Sequence, residues 1–161
     1  KTGNVKLQKK DIRFTVITDV PVETPPSYFI YGGLLFEPLT SNYMSAAIES
    51  ESAIGSLISV YNKEDSYKDY KQLVVLVRVL AFDVNLGYSD LTNEVIVKVN
   101  GEKYEDFKDF TRKVRNVKSE FIIFENDKGD EIVLDVKEVE AQKEQLMQNY
   151  SISSDMSSDI Q

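Results

Sequence analysis

The sequence predicts a mainly β domain of the α+β class, a small partly open barrel capped by helices. Strand-like segments outnumber helical ones, and only one helical segment falls firmly inside the strand series. The chain has 161 residues, 42% of them hydrophobic, which suits one cored domain with decorations better than two domains. No internal repeat is visible.

The elements follow in order. Residues 1–27 read as a linker or N-terminal arm, with one strand at Ile12–Ile17 and an extended path forced by Pro21, Pro25 and Pro26. Tyr28 to Leu39 is a strand interrupted at Gly32-Gly33, where a glycine pair marks a bulge or a close backbone approach. Residues of about 41–72 form a helical insertion: Ser41 caps a helix carrying Tyr43, Met44, Ala47 and Ile48, and Ile54, Leu57, Ile58 and Tyr61 show a second helical spacing. The charged, tyrosine-rich stretch from Lys63 to Lys71 is expected to be exposed.

Leu73 to Phe82 reads as a strand buried on both faces, and 83–93 as a loop with a short helical turn. Glu94 to Val99 alternates and ends at Asn100-Gly101, a hairpin-type turn. Asp106 caps a helix that sets Phe107, Phe110, Val114 and Val117 on one face. Phe121–Phe124 and Ile132–Val136 are two strands joined across Asn126–Asp130. Residues 28–136 thus form the domain proper. Residues 137–161 add a C-terminal helix to about Asn149 and a Ser/Asp-rich tail expected to be mobile.

Composition excludes several functions. With 27 acidic against 19 basic residues the net charge is −8, which argues against nucleic acid or an anionic membrane surface as the main partner. No cysteine is present, so there is no disulfide framework and no thiolate metal site. Because histidine is also missing, a Ser-His-Asp triad, a Cys-His pair and His-ligated zinc are all excluded. No cofactor or metal is expected. The longest apolar run, Leu73–Val77, is stopped by Arg78 and cannot span a membrane. A chain opening on Lys1, with neither methionine nor a signal-like region, reads as an excised piece of a longer protein.

Three segments share a physical logic. A glycine loop, Tyr31-Gly32-Gly33-Leu34, runs into an apolar strand; a second strand ends at Asn100-Gly101; an amphipathic helix follows from Asp106 to Val117. A peptide can add a strand beside an open edge, with its terminus held by the N–H groups of a glycine loop. The gap between strand and helix then makes a side-chain pocket.

This arrangement resembles the PDZ domain in its circularly permuted, protease-associated form. The run from Pro25 to Thr40, with Gln72–Leu76, Asp83–Tyr88 and the tail around Ser151–Ser153, is very similar to the second PDZ domain of plant-type Deg/HtrA serine proteases. It covers roughly 12–160. The resemblance implies a non-catalytic domain that binds a peptide or internal segment and takes part in assembling the oligomer. It also implies a parent chain carrying the protease and a first PDZ domain, and a homo-oligomer whose own segments engage the groove. Carried over, Tyr31, Gly32, Gly33 and Leu34 supply backbone donors. Leu34 and Phe36 face the groove from the strand, and Phe110, Thr111 and Val114 line it from the helix. Gly32 stands where the family's loop is usually hydrophobic, which shifts the expectation from capturing free C termini toward assembly.

Plainer readings stand beside these. Phe107, Phe110 and Val114 can be shared core, and the basic helix face of Lys108, Arg112, Arg115 and Lys118 an ordinary solvated surface. Tyr61, Tyr67 and Tyr70 suit an interface or the packing of the insertion. Asn126–Glu131 lacks EF-hand spacing and reads as a turn. Two rival functions remain open: a carboxylate-based hydrolase using a pair such as Asp83 and Glu94, and a purely structural domain whose groove its own arm fills around 12–20.

Overall fold

The computed structural model describes residues 17–49, 60 and 67–161. Its frame is a six-stranded antiparallel sheet in sequential order, curled into a half-barrel. The strands are β1 (Phe29–Tyr31), β2 (Leu34–Pro38), β3 (Val74–Val79), β4 (Thr92–Val99), β5 (Phe121–Asn126) and β6 (Glu131–Asp135). Helix α1 (Ser41–Glu49) follows β2, α2 (Phe107–Arg115) joins β4 to β5, and α3 (Val136–Asn149) follows β6. The α+β half-barrel expected from the sequence is the fold observed. The expected strand at 12–17 lies, apart from Ile17, outside the described residues, as does the helical spacing over 54–61.

Tyr28–Leu39 is not one interrupted strand. Gly32 and Gly33, with φ of +56° and +83°, form a two-residue turn that folds β1 back onto β2, pairing Tyr31 with Leu34 and Phe29 with Phe36. Both φ values lie in the left-handed region that tight hairpins demand and glycine enters without strain. Asn85 pins this turn from the 3-10 segment Asp83–Asn85. Its Nδ2 donates to Gly32 O at 2.8 Å and Leu80 O at 2.9 Å, while its Oδ1 accepts from Phe82 N at 3.0 Å. A polar side chain only 1% exposed is thereby satisfied at both ends.

The core sits between the curled sheet and α2. Phe36 meets Phe110 edge-on at 5.0 Å between ring centroids and Phe124 at 5.0 Å, and all three are fully buried. Asp106 caps α2 as expected, accepting from Asp109 N at 2.9 Å, and Lys and Arg residues fill its last turn where the helix dipole favours cations. At α1 the cap is Thr40, whose Oγ1 accepts from Tyr43 N, rather than the expected Ser41. Ser41 Oγ is turned instead to Val20 N.

The expectation of an exposed 63–71 stretch fails at its tyrosines. Tyr67 and Tyr70 are buried and stack edge-on with one another and, through Tyr70, with Tyr104. Packing of the insertion is what they serve; Tyr61 lies outside the described residues. Asn126–Asp130 is a hairpin turn in which Asn126 Oδ1 accepts from Lys128 N and Asp130 N. No cluster of metal-ligating side chains occurs among the described residues.

Replacing Asn85 with Asp turns two donors into acceptors aimed at the carbonyls of Gly32 and Leu80. We expect about 3 kcal/mol of destabilisation, read as a lower urea midpoint at constant slope.

Candidate functional site

The outer edge of β1 should be open, since β1 is the first strand of the sheet. It is closed by the chain's own tail. Ile30 N donates to Asp155 O at 2.7 Å, and Ser157 N donates to Tyr28 O at 3.0 Å, with Met156 paired antiparallel to Phe29. Tyr28 contributes from both ends: its N–H donates to Ser157 Oγ and its hydroxyl to Ser154 O. The tail that was expected to be mobile therefore lies docked along β1, bridged to it antiparallel at Met156.

Side chains anchor it between β1 and α2. Met156 is 7% exposed and joins the core, with the Arg115 guanidinium at the end of α2 lying 4.0 Å from its sulfur. Asp155 is held by Lys143 of α3 at 2.6 Å. Further on, Ile160 packs against the edge of the core and lines a surface cleft with Lys108, Thr111, Arg112 and Arg115 of α2. Asp159 accepts from the Ser27 hydroxyl, and that bond, with another from Ser157 and the charge of Lys108, holds its carboxyl below the ordinary value of 3.8.

The expected site residues divide into three groups. Tyr31, Gly32 and Gly33 come together on the wall of a cavity of about 330 Å³ beside the tail, shared with Arg115, Val139, Leu146 and Met156. Burial and then the charge of Glu140 push the Tyr31 phenol up to about 12. Leu34, Phe36, Phe110 and Val114 are instead wholly buried core, with Phe36 already against Phe110. Thr111 is buried too, donating to Phe107 O, and lines the same surface cleft as Ile160.

No extended segment can enter between β2 and α2 as first expected. β2 is paired on one side by β1 and on the other by β3. The strand-adding edge belongs to β1, one strand further out. The turn's carbonyls are committed as well: Gly33 O accepts from Leu80 N at 2.7 Å, and Gly32 O from Asn85. The arm does not fill the site either, as far as it is described: Thr18 pairs with Thr40 beyond the end of β2.

Sequence reasoning missed Tyr28, Phe29, Ile30, Arg115 and the 155–160 segment. The available signal was Met156 and Ile160, two apolar side chains set among serines and aspartates. Glu94 of the carboxylate-pair reading is engaged by Lys128 at 2.9 Å and Asn126 at 3.1 Å, so it is not free for acid–base work with Asp83.

A sheet edge completed by a further segment beside an amphipathic helix is the geometry through which domains that recognise protein segments pair with them by main-chain bonds. The sequence profile of the PDZ domain matches residues 17–159, and the chain belongs to that family. It is similar to the putative protease Do-like 3, mitochondrial, of Arabidopsis thaliana: 31% identical over 135 residues, 84% of this chain and 23% of the relative. The protease Do-like 2, chloroplastic, of the same plant is 27% identical over 135 residues, 84% of this chain and 22% of that protein. The chain thus spans less than a quarter of the length of these relatives. What matches is their PDZ portion, and the chain is not a protease by itself.

The tail's docking carries a pH dependence. A carboxyl lowered in the docked state stabilises docking above its ordinary value of 3.8, and that contribution is lost as pH falls through the lowered value. Hydrogen exchange at the Ile30 amide should therefore quicken in acid relative to amides of β4 and β5. In Asp159→Asn it should already be quicker at neutral pH, and the extra acid sensitivity should be gone.

Proposed function

We propose that this domain binds a segment of a protein partner as an added strand on β1, and that in a Deg-type serine protease it helps assemble or gate the oligomer. The observation that carries this reading is the tail itself. A six-residue stretch of ordinary polar sequence makes paired backbone bonds to β1 and drops one apolar side chain, Met156, into the space beside α2. An edge that accepts one such segment accepts another of the same design, because the recognition is mostly main chain.

The tail then acts as a resident competitor. A partner strand, including the tail of a second copy, gains the edge only when the resident leaves. Its apparent affinity is reduced by the fraction of molecules in which the edge is free. Proteolysis in the parent belongs to chemistry outside these residues, since a chain without histidine cannot build a Ser-His-Asp triad.

A second reading is favoured by the same contacts: the tail is a permanent part of the fold and the edge never opens. One experiment separates the two. Met156→Asp places a charge among apolar neighbours and should release the tail. Binding of a synthetic peptide covering residues 151–161, followed by fluorescence anisotropy, should strengthen on the order of tenfold or more in that variant. Equal, weak binding to both forms would leave the tail as structure alone. Because Met156 also contributes to the core, a retained cooperative melt shows that the variant is folded.

A further inference from the structure

Where β2 ends and α1 begins lies a second cavity, of about 360 Å³, that the groove does not use. Its roof is the proline-rich strap 18–27, tied down by Ser41 N to Thr18 O at 3.1 Å and Asn42 Nδ2 to Pro21 O at 3.0 Å. Its walls are Val20, Pro25, Pro26, Pro38 and Ala46, with the ring of Tyr43, and at its rim Val22 is 89% exposed. Glu37, an outward-facing residue of β2, lines it as well.

The neighbouring polar groups are already spent. Asn42 holds Pro21 O, the Thr40 hydroxyl accepts from Tyr43 N, and the Tyr43 hydroxyl donates to Asn93. Gln72 donates to Thr18 and accepts from Phe107 N. Glu37 is the one charged residue lining the cavity among the described residues, and its side chain has neither hydrogen bond nor ion pair among them. Burial raises its carboxyl above the ordinary value, and burial first and then the charge of Glu37 raise the Tyr43 phenol, which puts the two groups close together. A partly desolvated carboxylate without a counter-charge is costly, and the cost is relieved by a cation delivered to it.

We propose that this cavity receives the lysine or arginine side chain of a protein segment, its cationic head on Glu37 and its methylene stem along the prolines and the Tyr43 ring. Apolar walls leading to one carboxylate match a long side chain that is greasy along its stem and charged at its tip. The Tyr43 ring adds a cation-attracting face. This site is built on residues other than those of the β1 edge, apart from Ser27, which lines the cavity and donates to Asp159 of the tail.

The test is an amide chemical-shift titration of the full chain with blocked Gly-Lys-Gly and Gly-Arg-Gly tripeptides, and with the norleucine analogue as the uncharged control. Saturable shifts confined to Glu37, Tyr43, Ala46 and their neighbours are expected with the two cationic peptides and not with norleucine. Glu37→Gln should weaken binding about tenfold and remove the loss of affinity that acid causes in the unaltered chain. Shifts from the norleucine peptide of equal size, shifts located elsewhere, or unchanged affinity in Glu37→Gln would each overturn the assignment. Tighter binding of putrescine than of either tripeptide would overturn the protein-segment source.

Discussion

A β-carbon on Gly33 would stand 2.3 Å from the Asn85 amide nitrogen and 2.5 Å from the Leu80 carbonyl oxygen. One on Gly32 would stand 2.6 Å from Leu134. The backbone of the turn is thus pressed between the 3-10 segment and the β6–α3 corner, and only glycine fits there in a left-handed conformation. What the molecule offers to partners depends on this contact. A turn of two residues leaves the chain no choice but to return along β2, so β1 seals the edge that would otherwise face α2. The accepting edge moves outward by one strand.

That displacement explains why the tail is needed where it is. A three-residue edge strand with three buried residues, Phe29, Ile30 and Tyr31, cannot be left facing water on its outer side. Asp155 to Ser157 supply the missing pairing, and Met156 covers the gap toward α2. The anchoring groups are of two kinds. The backbone bonds are indifferent to salt and partner sequence and Met156 to salt, whereas Lys143–Asp155 and Ser27–Asp159 are partly exposed and weaker. A strand held in this way can be exchanged for another without rebuilding the domain.

Much of the fold was legible in the sequence. The alternation of Glu94–Val99, the Asp106 cap and the spacing of Phe107, Phe110 and Val114 each encode one local element, and each is observed where expected. The site was less legible because it rests on a register rather than a pattern. Gly32-Gly33 reads equally as a bulge, a loop or a hairpin until the partners of Tyr31 are known. Phe110 and Val114 carry the periodicity of a helix face that packs on something; periodicity does not say whether that something is a ligand or Phe36. The tail was misjudged for a different reason. Its composition is that of a mobile end, and three apolar residues in eleven give little sign of docking against an edge more than a hundred residues away.

Two faces of β2 and its neighbour thus have opposite electrostatic characters. The tail brings Asp159 within the field of Lys108 on α2 and pairs Asp155 with Lys143 of α3, so the resident segment complements the helices it lies against. At the end of β2, Glu37 meets no complement among the described residues. A chain with a net charge of −8 has repulsion to spare, and most of its acidic side chains disperse it into solvent. Glu37 cannot, because the strap and Tyr43 keep water partly away from it. The charge that the fold has satisfied marks where the chain binds itself; the charge it has left unsatisfied marks where something else fits.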